Sequence, residues 1–292
     1  MLETFNTHRG LLFGIAYRML GRVSDAEDMV QDVWLRWQKQ DAGRIHSPKA
    51  WLVSAMTRRC VDQLRLARRE REDYYGVWLP EPLMPTTTDP EPGAAAELSE
   101  SLTMAFMMML ESLKPTERAV FLLREVFDYD YADIAAILGK SEANCRQIVR
   151  RAKTHLQEPA ATRPVTPPTP QARELVEHFL AATASGEVTE VLARLTEDCT
   201  VYSDGGGRVK AAGRPIEGND HVSRFLLGIW PRLLAGMERR LVEINGRPGL
   251  VMSAEGRVHY AFSFELADHR VRAIYIICNP DKLRHLAPLG SP

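Results

Sequence analysis

The stretch YADIAAILGKSEANCRQIVRRAKTHL, residues 131–156, predicts two short helices separated by a tight turn. In its first half, apolar residues recur at three- and four-residue spacing, the period of an amphipathic helix. Gly139 suits the left-handed conformation that often ends a helix, and Ser141 can accept a hydrogen bond from the first amides of the next one. This order is typical of a helix-turn-helix motif, whose second helix enters the major groove of DNA.

The second helix of this stretch is strongly basic. Its only acid, Glu142, stands at the helix start, where a negative charge suits the helix dipole, and four cations follow: Arg146, Arg150, Arg151 and Lys153. The alternative is an ordinary surface helix with scattered arginines. The clustering of one sign of charge favours contact with nucleic acid.

Length and composition place limits on the whole chain. With 292 residues, 45% of them hydrophobic and 26% charged, two or three domains with proper cores are expected. We find no apolar run long enough to cross a bilayer and no signal-peptide pattern, which predicts a cytoplasmic protein that binds no membrane. The four cysteines are far apart, without CxxC spacing, so we expect no disulfide framework, no metal site and no cofactor.

Two helices are predicted near the N-terminus, joined at Gly21. Ser24 and Glu27 have the spacing of a capping box at the start of the second helix. The outer face of that helix is polar and acidic: Asp25, Asp28, Gln31 and Asp32, next to Arg36. The pattern alone favours an ordinary solvated face.

A further helix begins at Pro48 and becomes arginine-rich towards its end. Its cations include Arg58, Arg59, Arg65, Arg68 and Arg69. Such a density of arginine is typical of a phosphate-binding face. Arginines that complement the helix dipole would explain the last turn but not Arg58 and Arg59.

Two proline-rich segments predict linkers, at 73–96 and 158–171. The first contains WLPEP, residues 78–82, whose tryptophan and leucine are expected to dock on a neighbouring surface. After 171 the pattern changes to helices followed by strands, which predicts an α+β domain with a curved antiparallel sheet and a pocket. Residues 195 and 196 are expected to end a helix there, and in VHYAFSFEL, residues 258–266, apolar side chains alternate cleanly.

Up to about Glu158, the chain resembles the extracytoplasmic-function sigma factors, a group of bacterial transcription initiation factors. DAEDMVQDVWLRW (25–37) is similar to their polymerase-binding helix, and PKAWLVSAMTRRCVDQLRLARR (48–69) to the helices that read the minus-ten element. LKPTERAVFLLREVFDYD (113–130) together with the stretch quoted first is similar to their minus-thirty-five-reading domain. The resemblance implies two all-α sigma domains that bind promoter DNA and core RNA polymerase, through its largest-subunit coiled coil and its flap.

The resemblance also implies roles for single residues. The polymerase would be bound by Asp25, Asp28, Gln31, Asp32 and Arg36. The melted minus-ten strand would be held by Lys49, Arg58, Arg59, Arg65, Arg68 and Arg69. The minus-thirty-five element would be read by Ser141, Glu142, Asn144, Arg146, Gln147, Arg150, Arg151 and Lys153.

The C-terminal part resembles the SnoaL-like superfamily, which implies a cone-shaped α+β barrel. WLPEP, DGGG (204–207) and NPDKL (279–283) match the sigma factors that carry such an extension, where it is understood to regulate the factor in cis, so no separate anti-sigma factor is expected. The implied regulatory interface comprises Trp78, Leu79, Pro80, Asp204, Asn279, Pro280, Asp281, Lys282 and Leu283. As purely structural elements, DGGG would be a turn and NPDKL a cap on the barrel.

The expected domains are 1–72, which binds polymerase and the minus-ten element, 97–157, which binds the minus-thirty-five element, and 172–292, the regulatory domain. Two alternatives remain at this point. One is a one-component regulator that senses a small ligand, and an unknown ligand of the C-terminal domain is also a candidate partner of a sigma factor. The other is a catalytic SnoaL-like domain using Asp204, His259 and Glu265, although the last two could equally be solvent-facing neighbours on one strand. We expect no enzyme and no catalytic residue.

Overall fold

The structure is a computed structural model that describes residues 1–41, 45–72, 74–85, 101–156 and 169–286; within the third helix, the side chains of 68–72 lie outside this description. Two compact units are present. The first comprises Met1–Asp73 and Ala105–Thr162, and the second comprises Tyr74–Met104 and Arg163–Pro292. Most of the linker predicted at 158–171 and residues 86–96 of the first linker fall outside the described residues.

Three helices form the N-terminal half of the first unit: α1 (Leu2–Leu20), α2 (Val23–Trp37) and α3 (Pro48–Glu72). Gly21, with φ 71°, ends α1 in the left-handed conformation. The expected cap at Ser24 is wrong, because α2 begins at Val23 with Arg22 at the N-cap position, two residues before Ser24, and no side-chain hydrogen bond caps it. Val23 is buried, so packing draws it into the first turn of the helix.

The other half of this unit contains α4 (Met104–Glu111), α5 (Pro115–Glu125), α6 (Tyr131–Leu138) and α7 (Glu142–Leu156). The predicted helix-turn-helix is confirmed in its details. Gly139 ends α6 with φ 63°, and the Ser141 hydroxyl oxygen accepts a 3.2 Å hydrogen bond from the Asn144 amide at the start of α7. The inner face of α7 is apolar and buried, at Cys145, Ile148, Val149, Ala152 and Leu156.

Arginine side chains join the two halves of the first unit, from buried Arg118 and from exposed Arg58. The Arg118 guanidinium donates a 3.0 Å hydrogen bond to the Arg18 carbonyl oxygen, at the end of α1, and forms a 2.5 Å ion pair with Glu111. From α3, Arg58 donates to the carbonyl oxygens of Ala136 and Ile137, at 3.2 and 2.6 Å. These carbonyls end α6 and have no partner within the helix, so a cation is favoured there.

The second unit is an α+β domain with a mixed six-stranded sheet. Its helices are α8 (Pro170–Ser185), α9 (Val188–Ala193) and α10 (Asn219–Leu234). Its strands are β1 (Leu195–Asp204), β2 (Ile216–Glu217), β3 (Glu238–Ile244), β4 (Arg247–Ala254), β5 (Arg257–Ala267) and β6 (Arg270–Ile277). A 3₁₀ helix, Pro280–Lys282, follows β6.

The sheet order is β2-β1-β6-β5-β4-β3, and it corrects the expectation of a wholly antiparallel sheet, because β1 and β6 pair in parallel. Parallel neighbours need a long connection, and here four strands and a helix separate β1 from β6 in the chain. Residues 195 and 196 belong to β1 and not to a helix as expected, since Leu195 is fully buried in the sheet core.

The helices of this unit cover one face of the sheet. Phe262, Phe264 and Leu266, the alternating residues of β5, pack there with Phe179 and Trp230. The alternation predicted for β5 is confirmed, and the parallel end of the sheet, where β1 and β6 finish, leads directly into the segments DGGG and NPDKL.

Among the described residues, no helix is both long and apolar enough to span a membrane. In the same part of the chain, no group of three or more histidine, cysteine, aspartate and glutamate side chains could hold a metal ion. All four cysteines are buried and unpaired with one another.

Candidate nucleic-acid interface and linker anchor

The outer face of α7 carries most of the residues expected to read the minus-thirty-five element. Asn144, Gln147, Arg150 and Arg151 are exposed on this face. Near the start of the helix, Arg146 forms a 2.6 Å ion pair with Glu142 and lies over the Tyr131 ring, 5.1 Å from its centroid. Lys153 pairs with Glu125 of α5 at 2.6 Å. The exposed arginines therefore form a cationic surface next to polar side chains that can contact bases.

Of the six residues expected to hold the minus-ten strand, the four whose side chains the structure describes make contacts within the first unit. Arg58 donates to the carbonyl oxygens that end α6, and Arg59 forms a 2.7 Å ion pair with Asp32 of α2. Lys49 lies 5.8 Å from the centroid of the Tyr129 ring. Arg65, exposed, is 3.3 Å from Asp62. The side chains of Arg68 and Arg69 lie outside the described residues.

On α2, the expected polymerase-binding residues divide into two groups. Asp28 and Gln31 are exposed, and Leu35, one turn further, is 50% exposed. Asp32 is held between Arg36, at 3.1 Å, and Arg59. Asp25 lies 3.9 Å from Arg22. The outward face of α2 is thus acidic, with the exposed Leu35 close to the C-terminal end of the helix.

In the second unit, the linker segment 74–85 is bound to the α+β domain through a buried carboxylate. Asp204, at the end of β1, is 1% exposed, and its carboxylate accepts four hydrogen bonds. Two come from the linker, from the Tyr74 hydroxyl at 2.5 Å and the Leu79 amide at 2.8 Å. The others come from the Gly206 amide at 3.0 Å and the Lys282 ammonium at 2.7 Å.

Lys282 supplies the countercharge and the second group of linker contacts. Its ammonium also donates to the Leu79 carbonyl oxygen. The amide of Leu79 is bound by Asp204 and its carbonyl by Lys282, so the ion pair binds both backbone groups of this linker residue. The ammonium lies over two linker rings, 4.2 Å from the centroid of Trp78 and 4.9 Å from that of Tyr74. We call Tyr74, Trp78, Leu79, Asp204, Asn279 and Lys282 the linker anchor.

Asn279 and the glycine turn complete the linker anchor. The Asn279 side-chain amide donates to the Tyr74 hydroxyl at 3.0 Å, while its oxygen accepts from the Asp281 amide and starts the 3₁₀ helix. Gly206 has φ 60°, and a Cβ there would overlap the Asn279 amide. Gly206 of DGGG therefore leaves the space that Asn279 of NPDKL occupies, and a residue with a Cβ would not fit there.

The remaining expected interface residues lie around this centre. Pro80 and Leu283 are buried, Pro280 is exposed, and Asp281 pairs with Arg208 at 2.7 Å. Cys278 donates from its thiol to the Asp204 backbone oxygen. Burial raises the pKa of the Cys278 thiol to about 12, and the negative charge of Asp204 adds to the effect, so the thiol stays protonated.

Two sigma-factor families match the chain between residues 4 and 156. Residues 4–70 match the family Sigma-70 region 2, and residues 103–156 match the family Sigma-70, region 4. The chain is 36% identical to the ECF RNA polymerase sigma factor SigJ of Mycobacterium tuberculosis, over 100% of this chain and 94% of SigJ. The chain belongs to the extracytoplasmic-function sigma factors. It is also 27% identical to the probable ECF RNA polymerase sigma factor SigI of the same species, over 98% of this chain and 96% of SigI.

A solved structure supports the fold along nearly the whole of this chain. The crystal structure of Mycobacterium tuberculosis SigJ matches it with a TM-score of 0.76 and 33% identity, over 97% of this chain and 98% of that chain. The predicted fold class, helical sigma domains followed by a SnoaL-like α+β domain, is confirmed. The factor therefore acts in transcription initiation, with promoter DNA and core RNA polymerase as partners, and the one-component regulator is not favoured.

Sequence reasoning missed several side chains that bind the linker in this sigma factor. Tyr74 contributes to the linker anchor through its hydroxyl, and His285 donates a 2.7 Å hydrogen bond to the Pro82 carbonyl oxygen. Asn245, at the turn between β3 and β4, bonds Leu83 and Leu102. The position of Tyr74 beside WLPEP was the one signal that could have indicated its role.

The three residues of the alternative catalytic site, Asp204, His259 and Glu265, do not form a shared acid–base site. His259 is exposed on β5. Glu265 does not face solvent: it is 3% exposed and accepts hydrogen bonds from Arg272 and from the Tyr275 hydroxyl, both at 2.9 Å. Burial, with the nearby negative charge of Glu265, raises the pKa of Tyr275 well above its ordinary value, so this hydroxyl remains a donor.

Proposed function

We propose that this sigma factor is regulated in cis by its C-terminal domain, which restrains the linker between the two promoter-reading domains. The proposal rests on the hydrogen bonds of the Asp204 carboxylate, which come partly from the linker and partly from the C-terminal domain. This carboxylate, buried in the C-terminal domain, takes two of its four hydrogen bonds from linker residues, Tyr74 and Leu79. Linker residues thus supply hydrogen bonds that a buried ion pair would otherwise lack.

The energetics of burial explain why the linker would be held firmly. Asp204 and Lys282 have 0% and 4% side-chain exposure. A buried ion pair is tolerated only when further hydrogen bonds satisfy its remaining lone pairs and protons. Removing the linker would leave the carboxylate and the ammonium each short of a partner, at about 1–3 kcal/mol for each unsatisfied group. Release therefore needs an input, such as polymerase binding or a ligand of the domain.

The promoter and polymerase contacts predicted from the sequence remain part of the proposal. The exposed face of α2 would bind the polymerase coiled coil, with charge setting the docking rate more than the affinity. Arg150 and Arg151 would bind phosphates of the minus-thirty-five element, while Asn144 and Gln147 contact bases. Arg58 would have to leave the carbonyl oxygens of α6 before it binds the minus-ten strand. The domain limits 1–72, 97–157 and 172–292 are kept as the proposed functional division.

We propose a binding role and not a catalytic one for the SnoaL-like domain. Two of the three candidate acid–base groups, Asp204 and Glu265, are fully hydrogen-bonded within the protein, and the third, His259, is exposed and apart from them. Catalysis needs an acid or base within reach of a bound substrate. The absence of a separate anti-sigma factor and the cytoplasmic location stay predictions.

Run-off transcription with purified core RNA polymerase tests the proposal on the full chain. Tyr74→Phe combined with Trp78→Ala removes linker bonds to the anchor while the Asp204–Lys282 pair stays intact. We expect this variant to raise run-off output above wild type at equal holoenzyme concentration. The neighbouring Tyr75, 74% exposed, offers a matched control in Tyr75→Phe. Output equal to wild type in the double variant would contradict regulation through the linker.

A further inference from the structure

A second contact holds the linker, at the turn between β3 and β4. Asn245 is 1% exposed and adopts φ 52°, followed by Gly246 with φ 69°. Its amide donates to the Leu83 carbonyl oxygen and its side-chain oxygen accepts from the Leu83 amide, both at 2.8 Å. Its side-chain nitrogen donates to the Leu102 carbonyl oxygen, also at 2.8 Å. One buried residue therefore binds the chain at two points 19 positions apart.

The two bound points enclose residues 84–101, which belong to the connection between the end of α3 and the start of α4, that is, the linker 73–96 and the residues up to Met104. Leu83 follows WLPEP, and Leu102 is two residues before α4, which leads into the minus-thirty-five-reading domain. Buried amides are nearly always hydrogen-bonded, and loss of a partner costs about 1–3 kcal/mol. The contact is therefore strong enough to persist while the C-terminal domain is folded.

Chain length shows what this contact does to the reach of the linker. From the end of α3 at Glu72 to the start of α4 at Met104, about 32 residues could extend to roughly 110 Å at about 3.4 Å per residue. With Leu83 and Leu102 both bound to Asn245, only about 13 residues remain in the path, and the limit falls to roughly 45 Å plus the width of the contact. The contact thus removes more than half of the available length.

We infer that Asn245 is a positioning residue that fixes the effective length of the linker and so limits which spacings between minus-ten and minus-thirty-five elements the sigma factor uses. The inference rests on the proposed function, in which the C-terminal domain holds the linker. Each base pair added to the spacer moves one element by about 3.4 Å and turns it by about 35° about the DNA axis. A shortened linker tolerates such shifts less than a long flexible one, whose effective concentration changes slowly with distance.

The linker anchor at Asp204 and Lys282 does not have this effect on length. If it alone opened, Leu83 and Leu102 would still be bound to Asn245, and only the residues before Leu83 would be freed. Loss of the Asn245 hydrogen bonds would instead add residues 84–101 to the length of chain that connects α3 with α4. Substitutions at Asn245 should therefore change which promoter spacings are used, whereas substitutions in the linker anchor should change the total transcription output.

Three substitutions separate the bonds of Asn245 from the turn that it forms. Asn245→Asp keeps the acceptor for the Leu83 amide and removes the donor to Leu102, and aspartate tolerates the left-handed conformation. Asn245→Gly removes both side-chain bonds and also suits the turn. Glu255→Gly is the matched control, because Glu255 is exposed and has φ 52° before Gly256 with φ 69°, in the next hairpin turn.

The experiment measures run-off transcription by the full-length holoenzymes on one promoter and its derivatives with spacers changed by one and two base pairs. The promoter is recovered by transcribing genomic fragments with the wild-type holoenzyme. Each output is divided by the output of the same protein at its best spacing. We expect Asn245→Asp and Asn245→Gly to raise the relative output at spacers changed by two base pairs by about threefold or more over wild type. Glu255→Gly should reproduce the wild-type profile.

A profile unchanged in both Asn245 variants overturns the inference, whether their total output rises, falls or stays the same. Amide hydrogen exchange provides a check that needs no activity: Asn245→Asp should leave Leu83 protected, and Asn245→Gly should expose it to exchange. If Tyr74→Phe with Trp78→Ala leaves output at the best spacing unchanged, the proposed function fails, but the shape of the profile still decides the role of Asn245.

Discussion

The two units of this sigma factor use charge in opposite ways. On α7 of the first unit, Arg150 and Arg151 are exposed to solvent beside polar side chains. In the second unit, Asp204 and Lys282 are almost completely buried and share their hydrogen bonds with the linker. The first arrangement suits a partner that arrives from outside, and the second joins distant parts of the same chain.

This difference teaches where substitutions should act. Exposed charges contribute little to stability, because water and salt screen them, yet they dominate affinity for DNA. Buried charges bind nothing from solution, yet loss of one partner leaves the other uncompensated. Four substitutions test the comparison, taken in order of their expected effect on the free energy of unfolding.

Lys282→Met should have the largest effect. It leaves the Asp204 carboxylate buried without a cation, and we expect the free energy of unfolding of the second unit to fall by about 3–5 kcal/mol. Urea denaturation followed by fluorescence measures this. Lys210→Met, on an exposed loop residue of the same unit, is the control and should change stability by less than about 0.5 kcal/mol. Equal stabilities of the two variants would mean that the buried pair does not hold the domain.

Gly206→Ala should have an intermediate effect. The alanine would adopt an unfavourable φ near 60° and its Cβ would overlap the Asn279 amide, so a loss of about 2–3 kcal/mol is expected. Gly256→Ala separates the two causes, because Gly256 has φ 69° but no atom within 4 Å of the place that an alanine methyl group would take. That control should lose only about 1–2 kcal/mol, the cost of the left-handed conformation alone. Losses of the same size would remove the packing explanation.

Ser141→Ala should have a smaller effect, confined to the first unit. It removes the hydroxyl that accepts from the Asn144 amide at the start of α7, at a cost of about 1 kcal/mol. Thermal denaturation by circular dichroism measures it. Thr154→Ala is a suitable comparison, since the Thr154 hydroxyl donates to the Arg150 carbonyl oxygen within the helix and should matter little. An unchanged melting temperature in Ser141→Ala would contradict capping by this serine.

Arg150→Met should leave stability unchanged within about 0.5 kcal/mol, the smallest effect on folding. Its effect should appear in DNA binding, where the slope of log affinity against log salt for the holoenzyme should fall by about 1. Arg173→Met, an exposed arginine on α8 paired with Glu177, should leave the slope unchanged. A wild-type slope in Arg150→Met would exclude a phosphate contact at this position.

The sequence predicts the first unit well because its signals are local. Gly139 and Ser141 lie within a few residues of the helix ends that they define, so spacing alone identified the helix-turn-helix. The termination and capping of a helix depend on residues that are close to one another in the sequence. The exception, the start of α2, was decided by burial of Val23, which a capping pattern does not report.

The second unit was predicted less completely because its important contacts join residues that are far apart in the chain. The partners Tyr74 and Asp204 are 130 positions apart, and Leu83 and Asn245 are 162 apart. The parallel pairing of β1 with β6 and the burial of Glu265 depend likewise on partners that no local pattern specifies. The motifs WLPEP, DGGG and NPDKL indicated an interface, but the bonds within it required the fold.

Amide hydrogen exchange at Leu79 is the most direct test that the C-terminal domain holds the linker. Its amide donates to Asp204 at 2.8 Å inside the protein, so the free full-length chain should protect it as well as the strands of the sheet. Tyr74→Phe with Trp78→Ala should remove that protection while the sheet stays protected. Exchange of Leu79 at the rate of an unfolded chain in the wild-type protein would contradict the account.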